Sequence, residues 1–349
     1  MNLEQYGWNS EWQEKFSSIQ QPGWIPGRIL SQSVDLYQLI TEQGEMNGKI
    51  SGKKRYESLS AVDFPVTGDW VALQPSAGSN AVIQCICQRT NSLMRKQNIK
   101  QDAQLLGANI DFAFIMTSLD HDFNPRRLER YLVIAWENNI QPIILLNKAD
   151  ICEQTEERLH EAETVAVGTP IHVISARQKT GLESVQSYCQ TGKTIILIGS
   201  SGVGKSTLTN TLLGNTIQTT QAIREDDSHG RHTTTRKSLF LLPGGGLLLD
   251  TPGLREIQLW GDISGLSSTF QDIEDFAEEC RFQNCRHESE PGCAVKDAIE
   301  KGKLPQERLD SYHKLQKELQ YQSSRENYWE LEARRKKWKT ISKMIKKLH

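Results

Sequence analysis

The stretch Gly199-Ser200-Ser201-Gly202-Val203-Gly204-Lys205-Ser206-Thr207 decides the fold, because it lies between the apolar run Ile195 to Ile198 and a helical segment ending near Leu213. Its first eight residues fit the phosphate-binding pattern G-x-x-x-x-G-K-[ST]. Glycines let the backbone curl until its N–H groups face phosphate oxygens, and the N-terminal end of the next helix adds positive potential. We expect Lys205 to reach the β and γ phosphates and the Ser206 hydroxyl to ligate Mg²⁺.

Asn147-Lys148-Ala149-Asp150 follows a second apolar run, Ile143 to Leu146, and has the N-K-x-D pattern that selects guanine. The Asp150 carboxylate can accept hydrogen bonds from guanine N1–H and its N2 amino group, whereas adenine leaves it unpaired or repelled. Discrimination of this kind can reach about 10⁴ to 10⁵. Ser175-Ala176, after the run ending at Ile174, matches a further GTPase signature, whose backbone amide contacts the guanine O6. The sequence therefore predicts a guanine site.

Two further segments match the switch regions of GTPases. Asp250-Thr251-Pro252-Gly253 has the form D-x-x-G, in which Asp250 would hold Mg²⁺ through water and the Gly253 amide would sense the γ-phosphate. Between it and the phosphate loop lies Gly230-Arg231-His232-Thr233-Thr234-Thr235. We expect Thr234 to close over Mg²⁺ and the γ-phosphate, although spacing alone leaves its neighbouring threonines as alternatives.

Leu254 stands where Ras-type enzymes carry the glutamine that orients the attacking water. A leucine side chain cannot orient water, so we predict slow intrinsic turnover that another side chain or a bound partner accelerates. His232 is the candidate for positioning this water, because it lies beside the switch threonines and its imidazole can form hydrogen bonds. The alternative is a solvated loop histidine.

A cluster near the C-terminus, Cys280-x₄-Cys285-x-His287-x₅-Cys293, offers three thiolates and one imidazole. This Cys₃His composition is typical of a closed structural zinc site. The spacing is not that of paired C-x-x-C motifs, so composition alone leaves reduced bystander thiols as an alternative. The chain has seven cysteines, an odd number that argues against a disulfide framework.

The chain of 349 residues is long enough for two or three domains. Residues 1–24 are polar and are interpreted as a loosely held arm. Short β-rich runs between Gly27 and Arg95, broken at turn positions by residues such as Gly44 and Gly48, predict an OB-like barrel. From Ile110 onward, apolar runs alternate with helical patterns, which predicts a mostly parallel sheet of six strands. We place the domain boundaries at 1–26 (arm), 27–100 (barrel), 101–265 (GTPase) and 266–349 (helical zinc-binding domain).

The six predicted strands of the sheet are Asp111 to Met116, Ile143 to Leu146, Ile171 to Ile174, Thr194 to Ile198, Ser238 to Leu242 and Leu247 to Leu249.

Charge is segregated along the chain rather than uniform. A net charge of −2 excludes a uniformly basic nucleic-acid-binding protein. From Arg325 to His349, however, nine Lys or Arg residues outnumber three Glu. This tail is either a solvated helix face or a phosphate-contacting helix. No stretch approaches the roughly 18 apolar residues of a membrane span, and the N-terminus has no signal-peptide pattern, so we expect a cytoplasmic protein.

The GTPase signatures occur in the order fourth, fifth, first, second, third, which is compatible with one sheet if the chain is circularly permuted. With Gly68-Asp69-Trp70-Val71 in the barrel, these motifs resemble those of the RsgA (YjeQ/YloQ) family of small ribosomal subunit biogenesis GTPases. The resemblance spans Gly27 to about Cys293. It implies an OB domain, a permuted GTPase and a zinc domain acting through ribosomal RNA contacts late in small-subunit maturation. We expect a monomer whose ligands are GTP or GDP, Mg²⁺ and one structural zinc.

The permutation also predicts a mechanical link, because the D-x-x-G loop leads directly into the C-terminal domain. We hypothesise that γ-phosphate contacts reposition this domain. An unchanged domain position with GDP and with a GTP analogue, free and on the ribosome, would contradict the hypothesis.

Two alternatives to a ribosome-directed GTPase remain. One is an RNA-binding scaffold in which GTP is a structural ligand. The other is a P-loop kinase, which Asn147 to Asp150 and the absence of a lid pattern in the sequence disfavour.

Overall fold

A computed structural model describes residues 1–33, 36–57, 61–96, 103–214, 237–250 and 264–321. The chain divides into two compact units, Met1–Gln258 and Leu259–His349. The first contains a small barrel and a mostly parallel sheet, and the described part of the second, residues 264–321, is helical. Among the residues that the structure describes, no helix combines the length and the apolarity that crossing a membrane requires.

The first two dozen residues are folded onto the barrel, so the interpretation of a loosely held arm is wrong. A 3₁₀ turn, Leu3–Tyr6, is followed by helix α1, Ser10–Ser17, whose N-cap Asn9 accepts a hydrogen bond from the Trp12 amide. Trp12 and Phe16 are buried in a cluster that includes the fully buried Trp70 of the barrel. Aromatic side chains spaced along a short helix supply enough apolar area to hold it there.

Five strands, all paired antiparallel except for one parallel pair, close into the OB-like barrel that the sequence predicts. The barrel closes because β1 pairs with both β2 and β4, while β3 pairs in parallel with β5. Its interior is filled by apolar side chains that include Ile29, Leu39, Val71 and Ile83. The strands are β1 (Ile25–Gln32), β2 (Tyr37–Thr41), β3 (Gly44–Ile50), β4 (Trp70–Ser76) and β5 (Asn80–Ile86), and the short helix α2 (Gly52–Glu57) follows β3.

The predicted break at Gly48 lies inside a strand. Gly48 belongs to β3 and pairs with Tyr37 of β2 and Ala81 of β5. A Cβ atom at this position would lie 2.4 Å from Leu39 Cδ1. The glycine therefore allows close packing in the barrel rather than ending the strand, and this is why a turn-based interpretation missed β3. The predicted boundary at residue 26 likewise falls inside β1.

A hairpin of β6 (Ser92–Lys96) and β7 (Ala103–Ala108) follows the barrel and forms a sheet of its own. The six predicted strands of the GTPase sheet then follow. Their spatial order is β10-β9-β8-β11-β13-β12, with β12 antiparallel to β13 and the other pairs parallel. They are β8 (Phe112–Ser118), β9 (Gln141–Asn147), β10 (Ile171–Val173), β11 (Thr194–Ile198), β12 (Lys237–Leu241) and β13 (Leu247–Asp250).

The permuted order is visible in this topology, because β8 is the first strand of the sheet along the chain yet lies in its middle, beside β11. The edge strand β12 also pairs with β1 at Ser31↔Ser238, so the sheet continues into the barrel. Among the described residues of this region, four helices accompany the sheet: α3 (Pro125–Glu137), α4 (Thr155–Val165), α5 (Leu182–Gln186) and α6 (Lys205–Leu213).

Four helices form the second unit within its described residues 264–321. They are α7 (Ser264–Thr269), α8 (Gln271–Ala277), α9 (Ala294–Glu300) and α10, which occupies residues 306–321. The buried Arg308 of α10 donates two hydrogen bonds to the Asp272 carboxylate and one to the Thr269 carbonyl. Its guanidinium also lies over the Phe270 ring, 4.2 Å from the ring centroid. The predicted boundary at 265/266 falls inside α7.

Candidate nucleotide site and metal centre

The predicted phosphate loop connects β11 to α6 at the carboxyl edge of the parallel sheet, where ligands of open α/β folds bind. Its glycines are required by the backbone. Gly199 has φ +155° and Gly204 has φ +101°. A Cβ atom would lie 2.4 Å from the Met116 carbonyl oxygen at Gly199 and 2.3 Å from Asn147 Nδ2 at Gly204. The loop can therefore pass this close to β8 and β9 only with glycines.

Lys205 lies where the loop enters α6. Its Nζ atom donates hydrogen bonds to the carbonyls of Gly199, at 2.7 Å, and Ser200, at 2.6 Å. The ammonium group is thus held against the concave side of the loop, over which bound phosphates would lie. Within the loop and the first turn of α6, the exposed residues are Ser201, Gly202, Ser206 and Thr207, whereas Val203 is buried beneath it.

Asn147 ties the phosphate loop to the two predicted base-recognition segments. Its side chain is almost fully buried at the end of β9. Nδ2 donates to the Val203 carbonyl at 2.7 Å, and Oδ1 accepts from the Ala176 amide at 2.9 Å. One side chain thereby connects three segments that are far apart in the sequence. The Ala176 amide, predicted to contact guanine, has a protein partner here.

Asp150 lies in a 3₁₀ turn, Ala149–Ile151, directly after β9. Lys148, the residue before this turn, adopts a left-handed conformation with φ +69°. The Ser175 hydroxyl donates to Asp150 Oδ1 at 2.7 Å and accepts from the Gln178 amide at 3.0 Å. One carboxylate oxygen is thereby fixed, which sets the orientation of the other.

The predicted Mg²⁺ ligand Asp250 ends β13, which pairs in parallel with β11. Asp250 therefore lies at the same edge of the sheet as the phosphate loop. The other predicted switch residues, His232, Thr234 and Gly253, lie outside the described residues.

Sequence reasoning missed a group of charged residues around the loop that follows β8. Asp120 pairs with Lys148, and Asp122 pairs with Arg127 and accepts a hydrogen bond from Ser200. The signal was present, because polar residues that directly follow a buried parallel strand lie at the ligand-binding edge of the sheet. Hydrogen bonds from Lys148, the Asp122 amide and Ser118 together lower the pKa of Asp120 despite its partial burial.

The predicted zinc ligands of the second unit converge. The ligand atoms of Cys280, Cys285, His287 and Cys293 all lie within 4.8 Å of one another. Cys280 Sγ is 3.9 Å from Cys293 Sγ and 3.7 Å from His287 Nδ1, and His287 Nδ1 is 3.4 Å from Cys293 Sγ. A tetrahedron with Zn–S bonds of about 2.3 Å has edges of about 3.8 Å. These distances fit one tetrahedral ion.

The histidine of this cluster has the properties of a metal ligand. His287 is buried and adopts φ +59°, and its Nδ1 atom faces the sulfur atoms of Cys280 and Cys293. Burial is the main cause that lowers the pKa of His287, and this shift favours the neutral imidazole. The neutral ring is the form that binds zinc.

Comparison with known proteins is consistent with this site. A family model described as RsgA GTPase matches residues 86–260. The chain is 46% identical over 322 residues to small ribosomal subunit biogenesis GTPase RsgA 2 of Lactiplantibacillus plantarum, covering 92% of this chain and 90% of that protein. It is 40% identical to small ribosomal subunit biogenesis GTPase RsgA 1 of Oceanobacillus iheyensis, covering 97% and 99%.

Two solved structures have a similar fold. The crystal structure of YjeQ from Thermotoga maritima aligns with a TM-score of 0.64 at 26% identity, covering 85% of this chain and 98% of that one. The crystal structure of YloQ, described as a circularly permuted GTPase, aligns with a TM-score of 0.64 at 27% identity, covering 85% and 95%.

Proposed function

Because this chain belongs to the RsgA GTPase family, we propose that it hydrolyses GTP on the small ribosomal subunit late in the maturation of that subunit. In this proposal the subunit stimulates hydrolysis, and the barrel and the zinc-binding unit contact ribosomal RNA. Its relatives carry the name small ribosomal subunit biogenesis GTPase. We propose that the protein acts in the cytoplasm and as a monomer.

The single observation that carries the nucleotide assignment is the bridging role of Asn147. Its two side-chain hydrogen bonds join the phosphate loop at Val203 to the base-recognition segment at Ala176. A nucleotide bound by its phosphates in the loop would therefore present its base to Asp150. Asp150, held by Ser175, would accept the guanine N1–H and N2 hydrogen bonds.

Residues at the phosphate end would hold the triphosphate and the metal ion. Lys205 would exchange the loop carbonyls for phosphate oxygens, and the N–H groups from Gly199 to Thr207 would surround them. Ser206, Thr234 and Asp250 would hold Mg²⁺, which when bound neutralises charge on the β and γ phosphates. The Gly253 amide would contact the γ-phosphate.

Hydrolysis itself requires a positioned water. Leu254 cannot orient it, so we assign this role to His232, with Thr234 closing the site. A His232→Ala protein whose ribosome-stimulated turnover is unchanged would exclude this role. Because a leucine rather than a glutamine directly follows Gly253, turnover without the subunit is expected to be slow.

The second unit would be stabilised by one structural zinc ion, held by Cys280, Cys285, His287 and Cys293. The ligand-atom distances support this set. The basic segment from Arg325 to His349 would contact RNA phosphates, which give affinity without reading the base sequence. Removal of residues 334–347 is expected to weaken subunit binding and to flatten its salt dependence.

The decisive experiment measures multiple-turnover phosphate release while purified small subunits are titrated into the full chain. We expect a saturable rise in the rate with wild type and no hydrolysis with Lys205→Ala. If subunits bind without changing the rate, the protein is an RNA-binding scaffold with GTP as a structural ligand. If neither binding nor stimulation occurs, the assignment to the ribosome is wrong.

A further inference from the structure

The loop that follows β8, residues 119–123, contacts both ends of the candidate nucleotide site. It touches the base-recognition segment through Asp120 and the phosphate loop through Asp122. Neither carboxylate belongs to a GTPase signature in the sequence. Both contacts lie within the described residues of the first unit.

At the base end, Asp120 Oδ2 accepts a hydrogen bond of 2.7 Å from Lys148 Nζ. The other oxygen, Oδ1, accepts from the Ser118 hydroxyl at 2.7 Å and from the Asp122 amide at 3.0 Å. The Asp120 carbonyl accepts from Arg158 at 3.0 Å. Several hydrogen bonds therefore hold Asp120 in place. Asp120 in turn fixes the ammonium group of Lys148, whose backbone has φ +69°.

At the phosphate end, Asp122 Oδ2 accepts a hydrogen bond of 2.8 Å from the Ser200 hydroxyl. Arg127 of α3 donates to both oxygens of the same carboxylate, at 2.7 and 3.1 Å. Bidentate charge-assisted pairs fix geometry more firmly than single hydrogen bonds. Asp122 thereby anchors the phosphate loop to the rigid start of α3.

The two ends are joined by one hydrogen bond, from the Asp122 amide to Asp120 Oδ1. A displacement of Lys148 therefore moves the Asp120 carboxylate, which orients the Asp122 backbone. The Asp122 side chain in turn orients the Ser200 hydroxyl. We propose that Asp120 and Asp122 are positioning residues that couple the base-recognition lysine Lys148 to the phosphate loop at Ser200. This inference rests on the proposed GTP site and assigns it two residues that touch neither base nor phosphate.

The coupling has a physical advantage for binding. A phosphate loop held in one conformation before GTP arrives loses less conformational entropy when it closes on phosphate. A surface ion pair contributes little by itself. These carboxylates are partly buried, at 16% side-chain exposure for Asp120 and 36% for Asp122, and they take part in a network. Such networks act more strongly than isolated pairs.

The test is a double-mutant cycle on the full chain, in which calorimetry measures the GDP affinity of each single variant and of the double variant. Ser200→Ala and Asp122→Ala each remove the hydrogen bond between the two side chains, and each is expected to weaken GDP binding about three- to tenfold. The double variant should be no weaker than the weaker single variant, because both changes remove the same interaction. Asp297→Ala, which removes an exposed ion pair with Lys301 in the second unit, is the matched control and should leave the GDP affinity unchanged.

A second cycle tests the connection itself. Lys148→Met and Ser200→Ala should be non-additive in the wild-type background and additive when Asp120 is replaced by Ala. A merely structural role for Asp120 would lower affinity without removing this coupling. Thermal melting of each variant establishes that it is folded. If Asp122→Ala does not fold, Ser200→Ala and the cycle in the Asp120→Ala background still test the coupling.

Two outcomes separate this inference from the proposed function. Wild type that prefers GDP to ADP, with additive effects in both backgrounds or with unchanged affinity in Ser200→Ala, overturns the coupling and leaves the GTP site standing. Wild type without a preference for GDP contradicts both.

Discussion

The hydroxyl of Ser175 donates a hydrogen bond of 2.7 Å to the carboxylate of Asp150, although the two residues follow different strands of the sheet. The Ser175 hydroxyl also accepts from the Gln178 amide, so its own orientation is fixed. The carboxylate that would recognise guanine is thus oriented by a residue of the second base-recognition segment. This contact gives the serine of the Ser175-Ala176 signature a physical role, which is to orient the Asp150 carboxylate.

Replacing Ser175 by Ala is expected to weaken GDP binding about three- to tenfold, because Asp150 loses the hydrogen bond that orients it. Calorimetry with GDP measures the effect. Ser187→Ala is the matched control, because the Ser187 hydroxyl donates to the Ser184 carbonyl at an exposed position in α5 and its C-cap. Equal GDP affinities for wild type and Ser175→Ala would show that Asp150 is oriented by other contacts.

If the Cys₃His cluster holds the proposed structural zinc, metal removal is expected to unfold the second unit. The described part of this unit is 264–321, and a segment of this size gains folding free energy from a structural metal. We expect one zinc per chain by elemental analysis, and loss of helical circular dichroism from this unit after chelation. Cys293→Ser should bind zinc more weakly than wild type by at least about tenfold. An unchanged spectrum after complete metal removal would refute a structural role.

The packing of α1 predicts that residues before the barrel stabilise it. Phe16 is 2% exposed and contacts the cluster around Trp70. Phe16→Ala should lower the free energy of unfolding by about 3 to 5 kcal/mol, since it leaves a cavity in that cluster. Urea denaturation measures this change. Gln13→Ala on the exposed face of α1 is the control. If Phe16→Ala lowers the free energy of unfolding no more than this control does, residues 1–24 are a loosely held arm after all.

Lys237 predicts a pH dependence of stability. Burial lowers the pKa of Lys237 to about 8, and its ammonium group donates to the Leu105 carbonyl. Between about pH 8 and the unfolded-state value near 10.4, the unfolded chain binds more protons at this residue than the folded chain. Its contribution to the unfolding free energy therefore rises with pH across this window. Below pH 8 the cost of the buried charge is present in full.

Urea titrations at intervals from pH 7 to 10 measure this slope for wild type and Lys237→Met. Methionine keeps the length of the side chain but cannot titrate, so we expect a smaller rise in the unfolding free energy for the variant. Identical slopes in the two proteins would show that Lys237 does not titrate in this range.

The sheet and the nucleotide motifs could be predicted from sequence because each has a strong local signal. Continuous apolar runs such as Ile195 to Ile198 identify buried parallel strands, and the glycines of the phosphate loop have no substitute in their backbone conformations. The metal cluster was predictable for the same reason, since four ligating residues occur within one short segment.

Other features depend on contacts between distant residues, and no local pattern in the sequence identifies the partners. Gly48 resembles a turn residue, and only the approach of Leu39 shows that it lies in a strand. The burial of Trp12 depends on Trp70, which is far away in the chain. Asp122 and Ser200 become partners only because β8 and β11 are neighbours in the permuted sheet.

The central claim is that the site selects guanine through Asp150, and calorimetry with GDP, ADP and XDP tests it most directly. Wild type is expected to prefer GDP over ADP by on the order of 10⁴. In Asp150→Asn, the side-chain oxygen of the asparagine can accept from the base N1–H, while its NH₂ group can donate to an acceptor at position 2. Xanthine has such an acceptor, O2, whereas guanine has an amino group there, so the preference should shift from GDP to XDP. Equal binding of GDP and ADP by wild type, or an unchanged GDP preference in Asp150→Asn, would contradict the account.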